Sequence, residues 1–344
     1  MKYNHSFFND YSEGCHPDIL EILNNTNLEQ EAGYGEDSIS KKAINLIKEE
    51  IKNNDVDIHF VSGGTQANIV VLSSILKPYE SIIAAETSHI NVHEAGAIEA
   101  TGHKINLIES HDGKLNTEQV WNVLESHTDE HMVKPKIVFI SQSTEIGTVY
   151  TKDELKKLYY FCKENDLYLY IDGARIASAV ASEESNMSLA DVTEFSDAFY
   201  IGGTKNGVML GEAIVIKNPE IKENFRFHLK QKGALLAKGR IVGAQFSGLF
   251  ENSLYLKNAK YANKMASELS HGIKDLDYEF LSDSTTNQIF PIFPNEIVDK
   301  LKEKYGFYVW NKIDKNNSVI RLVTSWVTPE EKIIEFINYL RNIK

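Results

Sequence analysis

Short apolar runs alternate with segments of helical periodicity between about residues 41 and 217. The runs are rich in Val, Ile, Phe and Tyr, the composition of strands that are buried on both faces. There are seven of them: Ile58–Val61, Ser81–Ala85, Lys104–Ile108, Lys136–Ser141, Leu167–Ile171, Ala198–Ile201 and Ala213–Ile216. The helical candidates between them are Gln66–Leu76, Thr117–Ser126 and Lys152–Asn165. This alternation predicts an α/β fold with a mostly parallel seven-stranded sheet between helices.

A further helix is predicted ahead of the first strand. Ser40 can cap it, and its apolar face carries Ile44, Ile47 and Ile51 at helical spacing. Like the crossover helices further along the chain, it would cover one face of the sheet.

The pattern changes after about Phe250. A long helical run, Leu254–Ile273, is followed by strand candidates and by a last helix that begins near Pro329. The strand candidates are Tyr278–Leu281, Gln288–Phe293, Phe307–Asn311 and Val319–Thr324. This order predicts a smaller C-terminal α+β domain with an antiparallel sheet. We therefore expect a large domain at residues 1–250 and a small one at residues 251–344.

Composition narrows the class of protein. A formal net charge of −13 argues against a nucleic-acid surface, which needs a basic patch, and favours small metabolites as ligands. Cys15 and Cys162 form neither a CxxC pair nor a disulfide framework, which favours a cytoplasmic protein. The polar first twelve residues do not resemble a signal peptide, and no apolar stretch is long enough for a membrane span.

Polar side chains follow the predicted strands, where ligands of such sheets bind. Lys205 lies in the glycine-rich turn Gly202–Gly207, and Asp172 ends an apolar run 33 positions earlier. A pyridoxal phosphate (PLP) enzyme needs this pair, because the lysine forms a Schiff base and the acid faces the pyridinium nitrogen. An exposed turn lysine and a helix-capping acid are the alternatives.

Two more segments are compatible with that cofactor. Gly64 and Thr65 stand between a strand and a helix, where free N–H groups can hold a phosphate; an ordinary capped turn is the alternative. His89 follows another strand, where an imidazole can stack on a flat ring and assist proton transfer. His93 has the same two interpretations as His89, and each can be an ordinary loop histidine.

Basic residues are the remaining candidates. Arg175 lies three residues after Asp172, within reach of the same pocket or of a local ion pair. Arg321, on an alternating strand pattern, can bind a carboxylate bidentately or form a structural salt bridge. Lys238 and Arg240 form a small basic cluster that can contact phosphate, in the same or a neighbouring subunit, or be solvated charge. We expect no metal ion in the site.

Taken together, these residues resemble the low-specificity threonine aldolases, within the β-eliminating lyase group of fold-type I PLP enzymes. The resemblance covers nearly the whole chain. The matching segments are Asn9–Ser12, Gly33–Asp37, Gly63–Asn68, Thr87–Gly96, Gln142–Tyr150, Ile171–Arg175, Gly202–Gly207 and Arg321–Trp326.

The resemblance implies a role for each cofactor-side residue. Lys205 would be the Schiff-base lysine and Asp172 the partner of the pyridinium nitrogen. His89 would stack on the ring, and Gly64 and Thr65 would hold the phosphate.

It also implies roles for residues at the substrate. Arg321 would hold the substrate carboxylate, Arg175 would lie on the cofactor side, and His131 aligns with a histidine near the substrate hydroxyl. The chain departs from the family at Phe8, where many members carry a serine, and at His93, where others have an aromatic or acidic residue. Both positions lie close to the inferred site, so we expect them to affect which substrate is preferred.

Three further residues match positions that enter the active site of a neighbouring subunit: Tyr34, Lys238 and Arg240. A homo-oligomer is therefore implied, either a dimer or a dimer of dimers (a homotetramer).

The implied reaction is retro-aldol cleavage of L-threonine, L-allo-threonine or a related β-hydroxy-α-amino acid to glycine and an aldehyde. Anchoring the carboxylate at Arg321 would align the Cα–Cβ bond, and His89 and His131 are the leading candidates for the base at the β-hydroxyl. Another PLP-dependent lyase or an aminotransferase would use the same residues. A non-catalytic scaffold would need neither Lys205 nor Asp172.

Overall fold

A seven-stranded sheet organises the chain in a computed structural model that describes residues 3–344. The strands are β1 (His5–Ser6), β2 (Asp57–Val61), β3 (Glu80–Ala85), β4 (Ile105–Ile108), β5 (Lys134–Ser141), β6 (Tyr168–Asp172), β7 (Ala198–Gly202), β8 (Glu212–Ile216), β9 (Gln288–Ile289), β10 (Ile292–Pro294), β11 (Tyr305–Gly306), β12 (Tyr308–Lys312) and β13 (Asn317–Val323). The large sheet has the order β2-β8-β7-β6-β5-β3-β4. β8 runs antiparallel to both of its neighbours, and the other pairings are parallel.

Helices cover the sheet and build the rest of the molecule. They are α1 (Pro17–Asn25), α2 (Ser38–Glu50), α3 (Gly64–Ile75), α4 (His89–Val92), α5 (Thr117–Ser126), α6 (Lys152–Glu164), α7 (Ile176–Ala181), α8 (Leu189–Glu194), α9 (Pro219–Lys222), α10 (Phe225–Gln231), α11 (Arg240–Phe250), α12 (Leu254–Lys274), α13 (Asn295–Lys302) and α14 (Glu330–Ile343). Short 3-10 turns occur at Glu99–Thr101 and Glu251–Ser253.

Both faces of the large sheet are buried. Along β3, Ile83 and Ala85 pack into one apolar core while Ile82 and Ala84 pack into another. Successive side chains of a strand point to opposite faces, so burial on both sides requires an unbroken apolar run. This explains why the strands appear in the sequence as continuous runs without polar alternation.

The seven predicted strands of the large sheet are confirmed, with small differences at their ends. The predicted helix at Thr117–Ser126 is also confirmed. The expected cap at Ser40 is wrong: α2 begins at Ser38, and Asp37 is its cap. The Asp37 carboxylate accepts hydrogen bonds from the Ser40 backbone N–H (2.7 Å) and from the Ser40 hydroxyl (2.9 Å). Ser40 is therefore a donor to the cap.

The C-terminal part contains the predicted antiparallel sheet, with the order β10-β13-β12 and with β9 also paired to β13. The expected strand at Tyr278–Leu281 is wrong, because only Phe280 forms an isolated bridge, to Pro291. Beyond it the chain turns away, since the Ser282 and Ser284 hydroxyls donate to the backbone carbonyls of residues 146 and 147. The expected strand at Gln288–Phe293 is two strands, β9 and β10, interrupted at Phe290 and Pro291.

The N-terminal segment packs with the C-terminal part. β1 pairs in parallel with β11, and Phe7 is fully buried in the apolar core formed by residues 265–340. Residues 5–7 thus belong structurally with elements that a boundary at residue 250 separates from them in sequence. The division into domains at residues 1–250 and 251–344 stays a prediction.

Among residues 3–344, no helix combines the length and the apolar character that crossing a membrane requires.

Candidate active site

A cleft of about 920 Å³ opens at the carboxyl ends of β3, β5, β6 and β7, where the C-terminal sheet faces them. Because these strands are parallel, the residues that follow them meet at one edge. The chemically important lining residues are Tyr11, Glu86, Thr87, His89, His93, Glu145, Arg175, Lys205, Gln288, Tyr308, Trp310 and Arg321. Five residues singled out from the sequence are therefore brought together: His89, His93, Arg175, Lys205 and Arg321.

Lys205 extends from the turn between β7 and β8. Burial, and then the nearby Arg175 charge, lower the pKa of Lys205, while Asp10 and Asp172 oppose this change. Within residues 3–344 its ammonium group forms no ion pair closer than 4 Å. A buried amine with a lowered pKa releases its proton more readily, which favours its use as a nucleophile.

Asp172, at the end of β6, is a buried acceptor with both oxygens engaged. Oδ1 accepts hydrogen bonds from Tyr200 Oη (2.5 Å) and the Ala174 backbone N–H (3.0 Å), and Oδ2 accepts one from Asn68 Nδ2 (3.1 Å). Three donors on one carboxylate fix its orientation. A carboxylate held in this way can face a pyridine nitrogen.

A chain of hydrogen bonds links Asp172 to His89. Asn68 Nδ2 also donates to Glu94 Oε1 (2.7 Å), which lies 2.8 Å from His89 Nδ1. The Tyr170 hydroxyl holds the amide in place by donating to Asn68 Oδ1 (3.1 Å). The contact with Glu94 orients the His89 ring, so that Asn68 and Glu94 together join His89 to Asp172.

His89, Glu94 and Asp172 also each offer one potential metal-ligand atom, and the three atoms lie within 4.8 Å of one another. The Asn68 amide bridges the two carboxylates, which accounts for their proximity through hydrogen bonds.

Helix α3 begins at Gly64, directly behind Tyr200. A Cβ atom at Gly64 would lie 2.7 Å from Tyr200 Oη, so this close approach requires glycine. No side chain caps the helix at Gly63, which leaves the N–H groups of its first turn available for an anion. Gly64 and Thr65 are both in that turn. These two residues would hold a phosphate group through their backbone N–H groups.

Arg175 is held by a residue to which the sequence analysis assigned no role. Its Nε and Nη2 donate to Asp10 Oδ2 (2.8 Å) and Oδ1 (3.0 Å), and Asn287 Nδ2 donates to the same carboxylate (2.8 Å). Burial alone would raise the pKa of Asp10, but Arg175 and Lys205 hold it below its usual value. The local ion pair with Asp172, the alternative for Arg175, does not form in the described residues.

Arg321 lies on β13 at the opposite side of the cleft. Its guanidinium carbon is 5.2 Å from the Tyr308 ring centre and 5.0 Å from that of Trp310, and Nη2 donates to the Phe8 carbonyl (3.2 Å). Arg321 Nε is buried without a partner, and no carboxylate of residues 3–344 is within 4 Å of the guanidinium group. The charge therefore remains available for an anionic ligand.

His93 lies between His89 and Trp310, with ring centres 5.5 Å and 6.2 Å away. Burial, and then the positive groups His89, Arg321 and Lys205, lower the pKa of His93. Phe8 does not line the cleft; its ring packs edge-on against Tyr308, 4.8 Å between centres, behind Arg321.

Other predicted site residues lie elsewhere in this chain. His131 is exposed in the loop before β5, at the amino end of the strand whose carboxyl end reaches the cleft. Lys238 and Arg240 line a second cavity of about 920 Å³, where Arg240 donates to the carbonyls of Asn27 and Glu29. Tyr34 is half exposed beneath the Lys230 ammonium group. For the last three residues, a role in a neighbouring subunit stays a prediction.

Glu145 lines the cleft but was assigned no role from the sequence. Oε1 accepts hydrogen bonds from the His89 backbone N–H (2.9 Å) and from Ser141 Oγ (2.6 Å). Burial raises the pKa of Glu145, and Asp172 contributes to this rise. The sequence feature that could have identified Glu145 is its position: it is an acid just after β5, inside the matching segment Gln142–Tyr150.

The cleft has what PLP requires of a protein: a buried amine, an anionic acceptor and a glycine-lined helix start beside it. The Gly64 contact with Tyr200 connects the last two features directly. The residues present therefore fit this cofactor.

Comparisons with known proteins agree with this geometry. The family model of the beta-eliminating lyases matches residues 14–295. The low specificity L-threonine aldolase of Pseudomonas sp. (strain NCIMB 10558) is 32% identical over 340 residues, 98% of this chain and 97% of that protein. The protein of the same name from Escherichia coli (strain K12) is 26% identical over 312 residues, 90% of each chain.

Solved structures lead to the same group. A threonine aldolase of Leishmania major superposes with a TM-score of 0.97 at 43% identity, covering 99% of this chain and 100% of that one. A variant of the Thermus thermophilus aspartate aminotransferase superposes with a TM-score of 0.72 at 14% identity, covering 99% and 92%, and shows the shared fold alone. With the fold-type I architecture and a site that fits PLP, the chain belongs to the beta-eliminating lyase family.

Proposed function

We propose that this protein uses PLP to cleave L-threonine, L-allo-threonine or a related β-hydroxy-α-amino acid into glycine and an aldehyde. One observation carries the proposal: the cleft is lined by Lys205, a buried amine near the Asp172 carboxylate, and by Arg321, whose Nε is buried without a partner. The Pseudomonas and E. coli relatives, named low specificity L-threonine aldolases, support the same reaction.

Lys205, Asp172 and the first turn of α3 would hold the cofactor, and the His89 ring would stack on it. When bound, PLP supplies an electron sink for bonds to the substrate Cα atom. The protein decides which bond is broken by fixing how the substrate is oriented.

Arg321 would fix that orientation by binding the substrate carboxylate through paired N–H groups. The Tyr308 and Trp310 rings limit the movement of its guanidinium group, and the Phe8 carbonyl occupies one of its donors. Holding the carboxylate there constrains rotation about the bond between Cα and nitrogen, an effect worth several kcal/mol when alignment is close.

Lys205 Nζ would hold a proton near Cα. Because burial lowers its pKa, this amine releases a proton more readily than an exposed lysine does. Protonation of Cα from Nζ, after the aldehyde has formed, would yield glycine.

Two broader proposals concern assembly and location. A dimer or dimer of dimers is supported by large apolar side chains exposed around the second cavity and the α10 surface, Leu28 (91%), Phe227 (76%) and Ile241 (42%). A cytoplasmic location is supported by Cys15 and Cys162, both buried as free thiols. Sedimentation analysis of the PLP-loaded protein tests the first.

A related PLP lyase or an aminotransferase remains the alternative, because the same fold supports different reactions. A non-catalytic scaffold is disfavoured by the retained Lys205–Asp172 pair. Parallel assays of aldehyde release, ammonia release and amino transfer separate the three possibilities. Amino transfer or ammonia release without aldehyde would overturn the proposed reaction.

The direct experiment uses PLP-loaded protein with L-threonine and L-allo-threonine, measuring glycine and aldehyde. Lys205→Ala should lower the rate by on the order of 10⁴-fold and abolish the visible absorbance of the lysine-bound cofactor. Lys302→Ala, on the exposed surface of α13, is the control and should behave as wild type. Unchanged absorbance in Lys205→Ala would refute the assignment of this lysine.

A further inference from the structure

Glu145 occupies a distinctive position in the cleft. It follows β5 and reaches the start of α4, so that its carboxyl group connects two strand ends beside the His89 backbone. It also lies within the electrostatic influence of Asp172. Glu86 is the other carboxyl group on the cleft lining, and it is exposed.

The two oxygens of Glu145 are unequal. Oε1 accepts both hydrogen bonds, from the His89 N–H and from Ser141 Oγ, whereas Oε2 forms none with the described residues. Oε2 is also not among the fully buried side-chain atoms that lack a partner. The carboxyl group is thus anchored through one oxygen and offers the other to the cleft.

The other titratable groups of the cleft either cannot accept a proton or are engaged in other contacts. Arg175 is paired with Asp10, and neither Arg175 nor Arg321 can accept a proton. His89 uses Nδ1 to bind Glu94, and His93 is packed against Trp310. Glu145 is a group that can accept a proton and has its orientation fixed by the protein.

We propose that Glu145 is a catalytic residue that takes the proton of the substrate β-hydroxyl group on Oε2. This assignment rests on the proposed function and completes it. His131, a leading candidate from the sequence, lies outside the cleft of this chain.

The step is balanced in atoms and electrons. The O–H bond of the β-hydroxyl breaks, its proton passes to Glu145 Oε2, and the oxygen forms the second bond of an aldehyde carbonyl. The Cα–Cβ bond breaks at the same time, and its electron pair stays with the Cα fragment. Cα then takes a proton from Lys205 Nζ, which regains one from solvent, and Glu145 releases its proton to solvent. No oxidant or reductant is needed.

The pH dependence follows from this role. Burial, and to a smaller extent the Asp172 charge, raise the pKa of Glu145. The hydrogen bond from Ser141 and the nearby His89 oppose this rise without cancelling it. The base works only when ionised, so kcat/KM should rise with pH through a pKa above the ordinary glutamate value. Lys205, His93, Arg175, Arg321 and Glu86 also face the cleft and shape the rest of the profile.

Glu145→Gln tests the role with little structural change, because the amide oxygen can still accept both hydrogen bonds of Oε1. Aldehyde release from threonine should fall by on the order of 10²–10⁴-fold in kcat with little change in KM. The acid limb assigned to Glu145 should disappear from the pH profile. Glu303→Gln, on the exposed surface outside the cleft, is the control and should retain both.

A second readout separates catalysis from folding. Exchange of the glycine α-proton with D₂O, followed by NMR, requires PLP and Lys205 but no β-hydroxyl group. Glu145→Gln should therefore keep the wild-type cofactor absorbance and exchange glycine at a rate within about threefold of wild type, a difference of less than 1 kcal/mol.

The outcomes are distinct. Selective loss of aldehyde release supports the proposal. Equal loss of aldehyde release and glycine exchange would show a structural role and overturn it, and unchanged aldehyde release would overturn it in favour of His89 or His93. If wild-type protein exchanges glycine but cleaves no β-hydroxy amino acid, the proposed function itself fails, and this assignment fails with it.

Discussion

The two walls of the cleft differ in how completely their polar atoms are paired. The cofactor wall (Asn68, Glu94, Asp172 and Tyr200) is a continuous network in which one unpartnered atom, Glu94 Oε2, remains. On the substrate wall (Gln288 and Arg321), which the C-terminal sheet contributes, both side-chain polar atoms of Gln288 and Arg321 Nε are buried without partners.

This difference indicates what each wall is for. An unpaired buried polar group costs about 1–3 kcal/mol, so several on one surface are unusual unless a ligand satisfies them. The cofactor wall fixes the orientation of Asp172 by its own hydrogen bonds. The substrate wall presents donors and acceptors suited to a carboxylate and a hydroxyl group.

The largest effect should come from Asp10→Asn, since Asp10 joins Arg175, which follows β6, to Asn287, which precedes β9. The change leaves the Arg175 guanidinium buried without a counter-charge and should lower the free energy of unfolding by about 3 kcal/mol. Urea unfolding measures this difference. Asp299→Asn, an exposed partner of Lys302 on α13, should change it by less than about 0.5 kcal/mol. Equal effects in both variants would contradict the importance of the buried pair.

Asp10 also shows where sequence reasoning stops. The seven strands could be predicted because burial on both faces leaves continuous apolar runs, and Lys205 and Asp172 because they follow such runs. The partners of Arg175 could not, because Asp10 and Asn287 are 165 and 112 positions away from it and join it only in the folded chain.

The hydrogen-bond networks of the site could not be predicted from the sequence for the same reason. Asn68 contacts Asp172 from 104 positions away, and no local pattern distinguishes it from an ordinary helix residue. The role of His131, which the resemblance alone implied, stays a prediction, because this histidine is exposed outside the cleft of this chain. It precedes β5, whereas Glu145 follows it.

A second prediction concerns the substrate wall. Arg321→Lys keeps the charge but loses the paired N–H groups, so kcat/KM for threonine should fall by on the order of 10²-fold, mainly through KM. The cofactor absorbance should be unchanged, because the cofactor wall is intact. Arg341→Lys on α14 is the control. Unchanged threonine kinetics in Arg321→Lys would remove its proposed role.

A third prediction concerns Glu212, a buried acid beside the cofactor wall whose Oε2 accepts the Gly203 N–H (2.7 Å). Burial raises the pKa of Glu212 to about 7. Between the unfolded value near 4.5 and this value, the folded protein keeps a proton that the unfolded chain releases. Its contribution to stability is therefore present at low pH and is lost as pH rises through about 7.

Glu212→Gln should remove this dependence. Between pH 5 and pH 7 the free energy of unfolding of wild type should fall by about 2 kcal/mol more than that of the variant. Urea unfolding at the two pH values measures the difference, with Glu303→Gln on the exposed surface as control. Parallel pH dependence in wild type and Glu212→Gln would show that Glu212 titrates normally.

The smallest predicted effect is a difference in PLP affinity between alanine substitutions at two adjacent glycines at the start of α3. In Gly64→Ala the new Cβ lies 2.7 Å from Tyr200 Oη, so Tyr200 must shift and its hydrogen bond to Asp172 weakens. At Gly63 nothing lies within 4 Å of a new Cβ, and its extended backbone (φ −179°) accepts any residue. PLP affinity, measured by titration of the apoprotein, should fall about tenfold (~1.4 kcal/mol) in Gly64→Ala and stay near wild type in Gly63→Ala. If both variants lost affinity equally, the helix turn alone would matter, and the Tyr200 contact would not couple the phosphate site to Asp172.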